Sequence, residues 1–289
     1  MSRNDDPTVS AREKDHYDCK AGHILYRITQ ANAGDLYRRD RDTTSAGTFR
    51  HPWLDWVQVI RSFPDSDHPL TILDLGCGQG FHTVTIQLER PRDRVIGIDI
   101  SSPALEIGNL LASSVIEGNR PSFLEMDAHH LAFPDESFDG VSDFGSLSSL
   151  EFDRAIAQIH RVLKPGGIFV AVETLGHNPL LNLMRRISVL RGRRTRWAAD
   201  HIFTEKERVK LATRFADVTC RYYAITTLLY PLIPFRSARL LGRLERLDQA
   251  IIARLPCLRR HAFKIVCVAR KQSALSPRSD DRPRPDPLP

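Results

Sequence analysis

The stretch that decides the fold reads Thr71-Ile72-Leu73-Asp74-Leu75-Gly76-Cys77-Gly78-Gln79-Gly80-Phe81. Its first half is a short apolar run that predicts a buried strand, and helical spacing resumes after Phe81. Between the two lie glycines at alternate positions, which let the backbone turn sharply and let a ligand touch the main chain. A strand, a glycine turn and a helix start together predict a nucleotide-binding corner.

An acidic residue precedes the first glycine, and this separates the corner from a dinucleotide site. The order is Asp-x-Gly-x-Gly-x-Gly, whereas a pyrophosphate-binding turn has the order Gly-x-Gly-x-x-Gly. Asp74 suits a ligand with a positive charge, such as the ammonium of an amino acid. The predicted strand 94–99 follows about 20 residues later and ends in Asp99, whose carboxylate can accept both hydroxyls of a ribose. The alternative is a glycine turn in an ordinary α/β sheet.

Five motifs in chain order resemble those of the class I S-adenosylmethionine-dependent methyltransferases. They are Asp74-Leu-Gly-Cys-Gly-Gln-Gly80, Gly97-Ile-Asp-Ile-Ser101, Met126-Asp-Ala128, Phe133-Pro-Asp-Glu-Ser-Phe-Asp139 and Arg161-Val-Leu-Lys-Pro-Gly-Gly167. The resemblance is dense over residues 70–173 and thinner as far as residue 271. It implies an α/β fold with a Rossmann-like, seven-stranded, mostly parallel sheet, helices on both faces and an N-terminal helical lid. It also implies S-adenosylmethionine as the cofactor.

Charge and cysteine usage fit an ordinary cytosolic protein. The 289 residues carry a formal net charge of +6, which is compatible with an anionic partner without requiring one. Five cysteines are scattered without a Cys-x-x-Cys pair, so we expect reduced thiols rather than a zinc site or a disulfide framework. The N-terminus is polar, and no apolar run approaches the roughly 18 residues of a membrane span. We therefore expect a cytoplasmic protein.

Composition and the resemblance together imply a division of the chain into four parts. Residues 1–15 are polar and expected to be flexible. Residues 16–64 precede the first strand and form the helical lid, in which Trp53 and Trp56 are expected to be core residues. Residues 65–271 form the methyltransferase domain. The tail 272–289 is rich in Pro, Arg and Asp and is predicted to be disordered.

The domain contains a predicted helical insertion, residues 228–260, before its last strand. The resemblance implies that this last strand, residues 261–269, runs antiparallel beside the sixth. The insertion carries an apolar stripe at helical spacing, formed by Leu240, Leu244, Leu247, Ile251 and Leu255. Its basic flanks permit contact with a membrane surface or a second copy. Packing on its own domain is the commoner arrangement.

The resemblance implies a cofactor site residue by residue. Asp74 and the backbone at Gly76 would hold the methionine end, Asp99 the ribose hydroxyls, and Asp127 the adenine amino group. For Asp127 the alternative is a carboxylate that caps a loop. The residues implied to bind the cofactor are Asp74, Gly76, Cys77, Gly78, Gly80, His82, Asp99, Ile100, Asp127, Ala128, Phe144 and Gly145.

The acceptor side is marked less clearly. A sulfonium donor is already activated, so a general base is needed only when the acceptor must lose a proton. Many relatives carry a His-His pair after the fourth strand, where this chain has Ser148-Ser149. The residues Glu173-Thr-Leu-Gly-His-Asn-Pro179 resemble a signature of one small-molecule branch, and Asp200-His201 loosely matches an acid-His pair of that branch.

These matches nominate acceptor-side residues. His177 and His201 are candidate catalytic bases, and for each the alternative is a structural role. Tyr17, Tyr26, Glu173 and Asn178 are candidate substrate-binding residues. No metal site is predicted.

Six arginines between residues 185 and 196 suit a phosphate, a carboxylate or a solvated surface. Nucleic acid is not expected, because Asp143-Phe-Gly-Ser146 is not the Asn/Asp-Pro-Pro-aromatic motif of amino-group base methyltransferases and contains no cysteine nucleophile. The sequence therefore predicts a methyltransferase that acts on oxygen or nitrogen of a small or lipid-like metabolite. The alternatives are an enzyme that uses S-adenosylmethionine without methylating, such as a cyclase on its aminobutyryl arm, an RNA or protein methyltransferase, and a non-catalytic binding protein.

Overall fold

One sheet organises the chain. The computed structural model describes residues 7–46, 50–233 and 237–273. Within these ranges seven strands pair side by side, namely β1 (Thr71–Leu75), β2 (Arg94–Asp99), β3 (Ser122–Glu125), β4 (Phe138–Asp143), β5 (Leu163–Thr174), β6 (Asp217–Tyr223) and β7 (Lys264–Arg270).

The strands lie in the order β3-β2-β1-β4-β5-β7-β6. Neighbours among β1 to β5 are parallel, and β7 is antiparallel to both β5 and β6. This confirms the predicted Rossmann-like, mostly parallel sheet and the antiparallel last strand. From β1 the chain moves outward through β2 and β3 and then crosses back to place β4 on the other side of β1, so the strand order reverses at β1. The carboxyl ends of β1 and β4 therefore border the crevice in which open α/β sheets bind ligands.

Ten α-helices occur in the described ranges, together with short 3-10 helices at Leu147–Ser149, Thr227–Leu232 and Pro256–His261. The helices are α1 (Pro7–Leu25), α2 (Gln30–Ala46), α3 (Arg50–Arg61), α4 (Phe81–Glu89), α5 (Ser102–Val115), α6 (Phe152–Val162), α7 (Pro179–Leu190), α8 (Arg196–Asp200), α9 (Glu205–Arg214) and α10 (Ala238–Arg254). None of the helices in the described residues combines the length and the apolar character that crossing a bilayer requires.

Alternate strand residues supply two separate cores, one on each face of the sheet. Leu73 packs in a cluster with Ile156 of α6 and Leu211 of α9. Its neighbour Ile72 belongs to a second cluster with Trp56 of α3. A third cluster joins α1 and α2 to α5. Helices therefore cover both faces of the sheet, as the alternating strand and helix pattern predicts.

The N-terminal region differs from the prediction in where its first helix begins. α1 begins at Pro7, so residues 7–15, which were predicted to be flexible, are helical. Tertiary packing explains the difference, because Glu13 and Ala21 are buried against the rest of the chain. Trp56 is a core residue, as expected, and its Nε1 donates a hydrogen bond to Ser142 Oγ at 3.0 Å. The predicted disorder of the tail concerns residues that lie almost entirely outside the described ranges.

The insertion contains α10, which buries a different face from the predicted stripe. The buried residues are Leu241, Glu245, Asp248 and Ile252, whereas Leu247 and Leu255 are 48% and 49% exposed. The reason is a hydrogen-bonded acid. The Asp248 carboxylate accepts from the backbone N–H groups of Ile225, Thr226 and Thr227 at 3.2, 2.5 and 3.2 Å. Because Asp248 points inward, each buried residue of α10 lies one position after the corresponding residue of the predicted stripe.

Strand register brings two of the five cysteines together. Cys220 on β6 and Cys267 on β7 are direct cross-strand partners, and their sulfurs lie 2.6 Å apart. Both are free thiols. The spacing of the cysteines in the sequence gives no sign of this pair, because the partner of a residue depends on the register of two strands.

Candidate cofactor and acceptor site

The glycine corner connects β1 to α4 at the carboxyl edge of the sheet. Gly76 and Gly78 have φ angles of +61° and +51°, which favour glycine. A Cβ at Gly76 would lie 2.6 Å from Ser146 Oγ, whereas a Cβ at Gly78 would meet no atom within 4 Å. The backbone at Gly78 therefore faces open space, where a ligand can approach the main chain closely.

Asp99, at the end of β2, is tied to this corner. One carboxylate oxygen accepts from Gly78 N at 2.8 Å, and the other accepts from Ser101 N at 2.9 Å. Burial raises the pKa of Asp99 above its usual range, although these hydrogen bonds oppose the rise. Each oxygen retains further acceptor capacity, so the carboxylate is oriented by the backbone and still able to take hydroxyl donors.

Asp74, in β1, is almost fully buried and accepts a hydrogen bond from Thr83 Oγ1 at 2.6 Å. Burial raises its pKa to about 7, and the charges of Asp143 and Asp99 act in the same direction. A buried acid with this pKa is stabilised in its ionised form by a cation, because an opposite charge offsets the cost of desolvation. The structure thus brings together the two acids that the sequence pattern nominated.

The predicted adenine side lies between β3 and the turn that follows it. Asp127 accepts hydrogen bonds from His129 N at 2.8 Å, from His129 Nδ1 at 2.6 Å and from Ser10 Oγ at 3.3 Å. Burial would raise the pKa of Asp127, but these bonds outweigh it and lower the pKa to about 2. His129 Nε2 in turn accepts from Glu151 N at 2.8 Å, so His129 is a structural link. Ala128 is buried in the core.

Helix α1 covers this edge of the sheet. Lys14 Nζ donates to the Ile100 carbonyl at 2.5 Å and to Glu125 at 2.7 Å. The hydroxyl of Tyr17 lies 3.0 Å from Ser149 Oγ. Tyr26 follows the end of α1 and is 93% exposed, so we no longer place it in the substrate site.

An aromatic group stands beside the end of β4. The rings of His82 and Phe144 stack with centroids 3.9 Å apart, and Trp56 meets both edge-on at 5.3 and 5.5 Å. Burial lowers the pKa of His82 to about 3, and the positive charge of Lys264 adds to this effect. His82 is therefore a neutral ring at physiological pH and cannot act as a cation toward the cofactor carboxylate.

Two buried carboxyls lie behind the aromatic group. Asp143 ends β4 and accepts from the backbone N–H groups of Gly145 and Ser146, and Glu173 near the end of β5 accepts from Leu147 N at 2.9 Å. Burial, and then the charge of Asp143, raise the pKa of Glu173 to about 8. A hydrogen bond between the carboxyls favours Glu173 as the protonated partner. Glu173 thus holds a proton at neutral pH.

Lys264, the first residue of β7, completes this group and was missed by sequence reasoning. Its Nζ lies 5.5 Å from the centroid of the Phe144 ring. Burial lowers the pKa of Lys264, and the negative charges of Glu173 and then of Asp143 partly offset this lowering. The signal that could have found it is the antiparallel last strand, which places its first residue opposite Thr174 at the carboxyl edge of β5.

The predicted catalytic histidines are engaged elsewhere. His177 Nε2 accepts the backbone N–H of Glu205 at 3.2 Å, so its ring caps the N-terminus of α9. His201 is exposed, and its ring stacks on Trp197 at 3.6 Å, while Asp200 faces Arg196. These contacts agree with a structural role for both histidines, which was the alternative to a catalytic role. Asn178 accepts from Leu181 N at 3.3 Å and thereby caps α7.

Buried polar atoms without a protein partner test whether S-adenosylmethionine fits this edge. Seven such atoms occur among the described residues, and four of them are Asp18 Oδ1, Ser101 Oγ, Glu13 Oε2 and His16 Nε2. These four lie on α1 or directly after β2, whereas the other three belong to Gln87, Trp197 and Glu245. Buried polar groups are nearly always satisfied, and an adenosine with an amino acid arm carries hydroxyl and amine donors. The residues present therefore fit the cofactor.

A separate cavity of about 220 Å³ lies at the opposite edge of the sheet. It is lined by Asp65, Ser66, His68, Pro69, Glu89, Arg90, Pro91, Arg92 and Asp93. These residues flank the amino ends of β1 and β2, whereas ligands of such sheets bind outside the carboxyl ends. We therefore place the site at the glycine corner.

Comparison with known proteins gives a consistent family. A family model described as a methyltransferase domain matches residues 73–171. A demethylmenaquinone methyltransferase of Thermus thermophilus is 37% identical over 106 residues, which are 36% of this chain and 47% of the relative. The ubiquinone/menaquinone biosynthesis C-methyltransferase UbiE of a Bradyrhizobium species is 35% identical over 138 residues, 46% of this chain and 53% of the relative. The chain thus spans about half the length of these relatives.

A solved structure shows the same fold. Geranyl diphosphate C-methyltransferase from Streptomyces coelicolor superimposes with a TM-score of 0.51 at 17% sequence identity. The match covers 75% of this chain and 78% of that chain. The glycine corner, the paired acids and the strand order agree with these matches. The chain carries a class I S-adenosylmethionine-dependent methyltransferase domain.

Proposed function

We propose that this protein transfers a methyl group to a ring carbon of a small, lipophilic acceptor that carries an ionisable oxygen. The proposal rests on the arrangement at the carboxyl edge of the sheet. There the oriented carboxylate of Asp99, which can accept hydroxyl donors, adjoins the buried acid Asp74, an aromatic group and Lys264. The proposal differs from the sequence prediction in the atom that is methylated, because the sequence prediction favoured oxygen or nitrogen. The names of the relatives favour carbon.

The cofactor would be held by this chain's predicted residues. Asp74 would pair with its ammonium, the backbone at Gly76, Cys77, Gly78 and Gly80 would approach it closely, and the Asp99 carboxylate would accept the ribose hydroxyls. The further proposed contacts are Ile100, Asp127, Ala128, His82, Phe144 and Gly145. When bound, the cofactor supplies an activated methyl group, so the protein has to position the acceptor and exclude water.

Lys264 and Glu173 are the residues that we assign to the acceptor. The Lys264 ammonium would stabilise an acceptor oxyanion, which makes the neighbouring ring carbon electron-rich. The Glu173 carboxyl exchanges its proton near neutral pH and would serve as a proton donor or acceptor beside that oxygen. The Phe144 and His82 rings would form an apolar wall. This assignment replaces His177 and His201 as the candidate catalytic groups.

The proposal is tested with S-adenosylmethionine labelled with ¹³C in its methyl group. Reduced demethylmenaquinone with a short tail serves as the carbon acceptor, and a simple phenol and a primary amine serve as oxygen and nitrogen acceptors. We expect S-adenosylhomocysteine and a label whose ¹³C shift is that of a ring methyl. Label on oxygen or nitrogen would contradict the carbon assignment and restore the sequence prediction.

Two further outcomes would contradict methyl transfer to a small molecule. Release of methylthioadenosine would identify the cofactor as the substrate. Label in RNA or protein after incubation with cell extract would identify a macromolecular acceptor. Lys264→Met is the informative variant, because it should lower turnover while cofactor affinity, measured by calorimetry, is retained. Lys210→Met, at an exposed ion pair on α9, is the matched control.

A further inference from the structure

Helix α7 turns an apolar face toward solvent. Leu183, Met184, Ile187 and Leu190 are 55%, 57%, 38% and 86% exposed. Their spacing of one, three and three residues places them along one side of the helix. A single exposed leucine is ordinary on a protein surface, but four large apolar side chains on one helix face mark an interaction site.

The opposite side of α7 points inward and includes two hydrogen-bonded polar residues. Arg185 is only 8% exposed, and its guanidinium donates to Asn182 Oδ1 at 2.6 Å and to the Leu175 carbonyl at 2.9 Å. The Asn182 amide donates to the Gly176 carbonyl at 2.8 Å. The helix therefore buries an arginine and exposes four apolar residues, which is the reverse of an ordinary surface helix. Its orientation is fixed by hydrogen bonds to the loop after β5.

The charge around this face is mostly positive. Residues 178–199 contain six arginines and no aspartate or glutamate, and the next residue, Asp200, lies 3.8 Å from Arg196. Arg185 and Arg194 are tied to the protein, the latter through Ala198 O and Ser148 Oγ. The exposed members are Arg186, Arg191, Arg193 and Arg196. An apolar strip bordered by exposed arginines is complementary to a surface that combines negative headgroups with hydrocarbon.

We propose that α7 and residues 191–196, here called the α7 face, dock onto the surface of an anionic lipid bilayer. The apolar side chains would enter the boundary of headgroups and acyl chains, and the arginines would pair with the headgroups. A second copy fits less well, because a two-fold contact would bring the same arginines face to face. Nucleic acid would use the arginines but leave the four apolar side chains in water.

The α7 face lies near the proposed acceptor site, so docking would affect how the acceptor reaches it. This inference rests on the proposed function. Arg185 is bonded to the loop that follows β5, and Arg194 to the turn that follows β4. Both strands end at the edge where we place the acceptor. A lipophilic acceptor that resides in the bilayer would therefore reach the site from the side that contacts its membrane.

The insertion 228–260, for which membrane contact was also predicted, carries less support. Its helix α10 buries the acids Glu245 and Asp248 together with Leu241 and Ile252. The exposed Leu247 and Leu255 are eight positions apart, without apolar exposed neighbours comparable to those on α7. They provide a matched control for the experiment.

The test is co-sedimentation of the full chain with vesicles of phosphatidylcholine alone and with an added fraction of phosphatidylglycerol. We expect binding to the anionic vesicles that weakens with salt. The triple variant Leu183→Ser, Met184→Ser, Leu190→Ser should lower the partition coefficient at least roughly tenfold. The pair Arg191→Gln, Arg193→Gln should lower it by roughly thirtyfold. The control pair Leu247→Ser, Leu255→Ser should bind like the wild type.

Several results would overturn docking. Docking would be contradicted if the wild type did not bind anionic vesicles, or if the α7 variants bound them as strongly as the wild type. It would also be contradicted if the wild type were a dimer that the triple variant converts to a monomer. RNA binding that the Arg191→Gln, Arg193→Gln variant abolishes would identify nucleic acid as the partner instead. Calorimetry with S-adenosylmethionine shows that each variant is folded. Because vesicle binding needs no acceptor, its failure is distinguishable from failure of the proposed methyl transfer.

Discussion

At the scale of single residues, the chain combines groups whose charge is set by burial. Asp74, Glu173 and His82 lie within one edge of the sheet, and burial favours the neutral form of each. Such groups reduce the stability of the protein without ligand and are retained at sites that bind charged or proton-transferring partners. Their pKa values therefore lead to predictions about both binding and stability.

Replacing Asp99 by Ala should weaken S-adenosylmethionine binding by roughly 1–3 kcal/mol, because hydrogen bonds to a charged acceptor are lost. Isothermal titration calorimetry measures the change. Asp217→Ala removes an exposed acid at the edge strand β6 and should leave the affinity unchanged. Equal affinities for wild type and Asp99→Ala would refute the ribose assignment.

Glu173→Gln should change how stability depends on pH. The pKa of Glu173 is raised from 4.5 to about 8 in the folded protein, so its stabilising contribution is fully present below pH 4.5 and is lost as the pH rises to 8. The neutral glutamine avoids this loss. We expect a gain of roughly 2–4 kcal/mol in the free energy of unfolding at pH 8 and little change at pH 4.5.

Urea unfolding at several pH values tests this expectation. Glu106→Gln, at an exposed position on α5, is the control and should follow the wild type throughout. If Glu173→Gln and the wild type lose stability in parallel between pH 5 and 8, Glu173 does not hold its proton in the folded state.

At the scale of elements, hydrogen bonds to helix ends favour a structural role for two residues that the sequence nominated for the acceptor site. The Gly-His-Asn-Pro segment lies between β5 and α7, and both of its polar side chains bond to backbone N–H groups of following helices. A histidine that caps a helix and one that serves as a base look identical in a sequence. Only the distance from His177 to α9 separates the two roles.

His177→Ala should therefore behave as a cap variant. We expect a loss of about 0.5–2 kcal/mol in stability, because a backbone donor at the start of α9 loses its partner. Turnover at a temperature where the variant is folded should be retained. Denaturant unfolding and a kinetic assay measure both quantities, and Thr204→Ala, which removes the capping box of the same helix, provides a comparison. A large loss of turnover without loss of stability would reinstate His177 as a base.

The cover formed by α1 leads to a prediction at the same scale. Asp18 and Ser101 carry buried atoms without a protein partner, and a bound cofactor would supply partners at that edge. S-adenosylhomocysteine should therefore slow amide hydrogen exchange in residues 7–25. Exchange in α10 should be unaffected. Equal protection of α1 with and without ligand would show that α1 does not contact the cofactor.

At the scale of the whole molecule, the sheet and the grouping of Asp74 and Asp99 at the glycine corner were predictable, because their signals are local. The strand runs, the glycine turn and the acids at strand ends all lie within one predicted domain, and the parallel order follows from alternating strands and helices. Lys264 was not predictable in the same way, since it reaches the site through a strand that returns from the far end of the domain. The same limit applies to the Cys220–Cys267 pair and to the inward turn of Asp248.

The α7 face illustrates another limit. Its arginines were visible in the sequence, but their grouping into inward and outward members depends on hydrogen bonds to the loop after β5. The exposure of the apolar residues of α7 likewise depends on how the helix packs, which the sequence does not state. Patterns thus predict that a helix has two faces but not which face the domain covers.

The placement of β7 between β5 and β6 also determines when the sheet can be completed during synthesis of the chain. β6 pairs only with β7 in the described sheet, and β7 leaves the ribosome after the other six described strands. A nascent chain that has emerged only as far as residue 263 has its glycine corner but neither a partner for β6 nor Lys264. The glycine corner can therefore form before the proposed acceptor site, and a chain that stops at that point would lack Lys264.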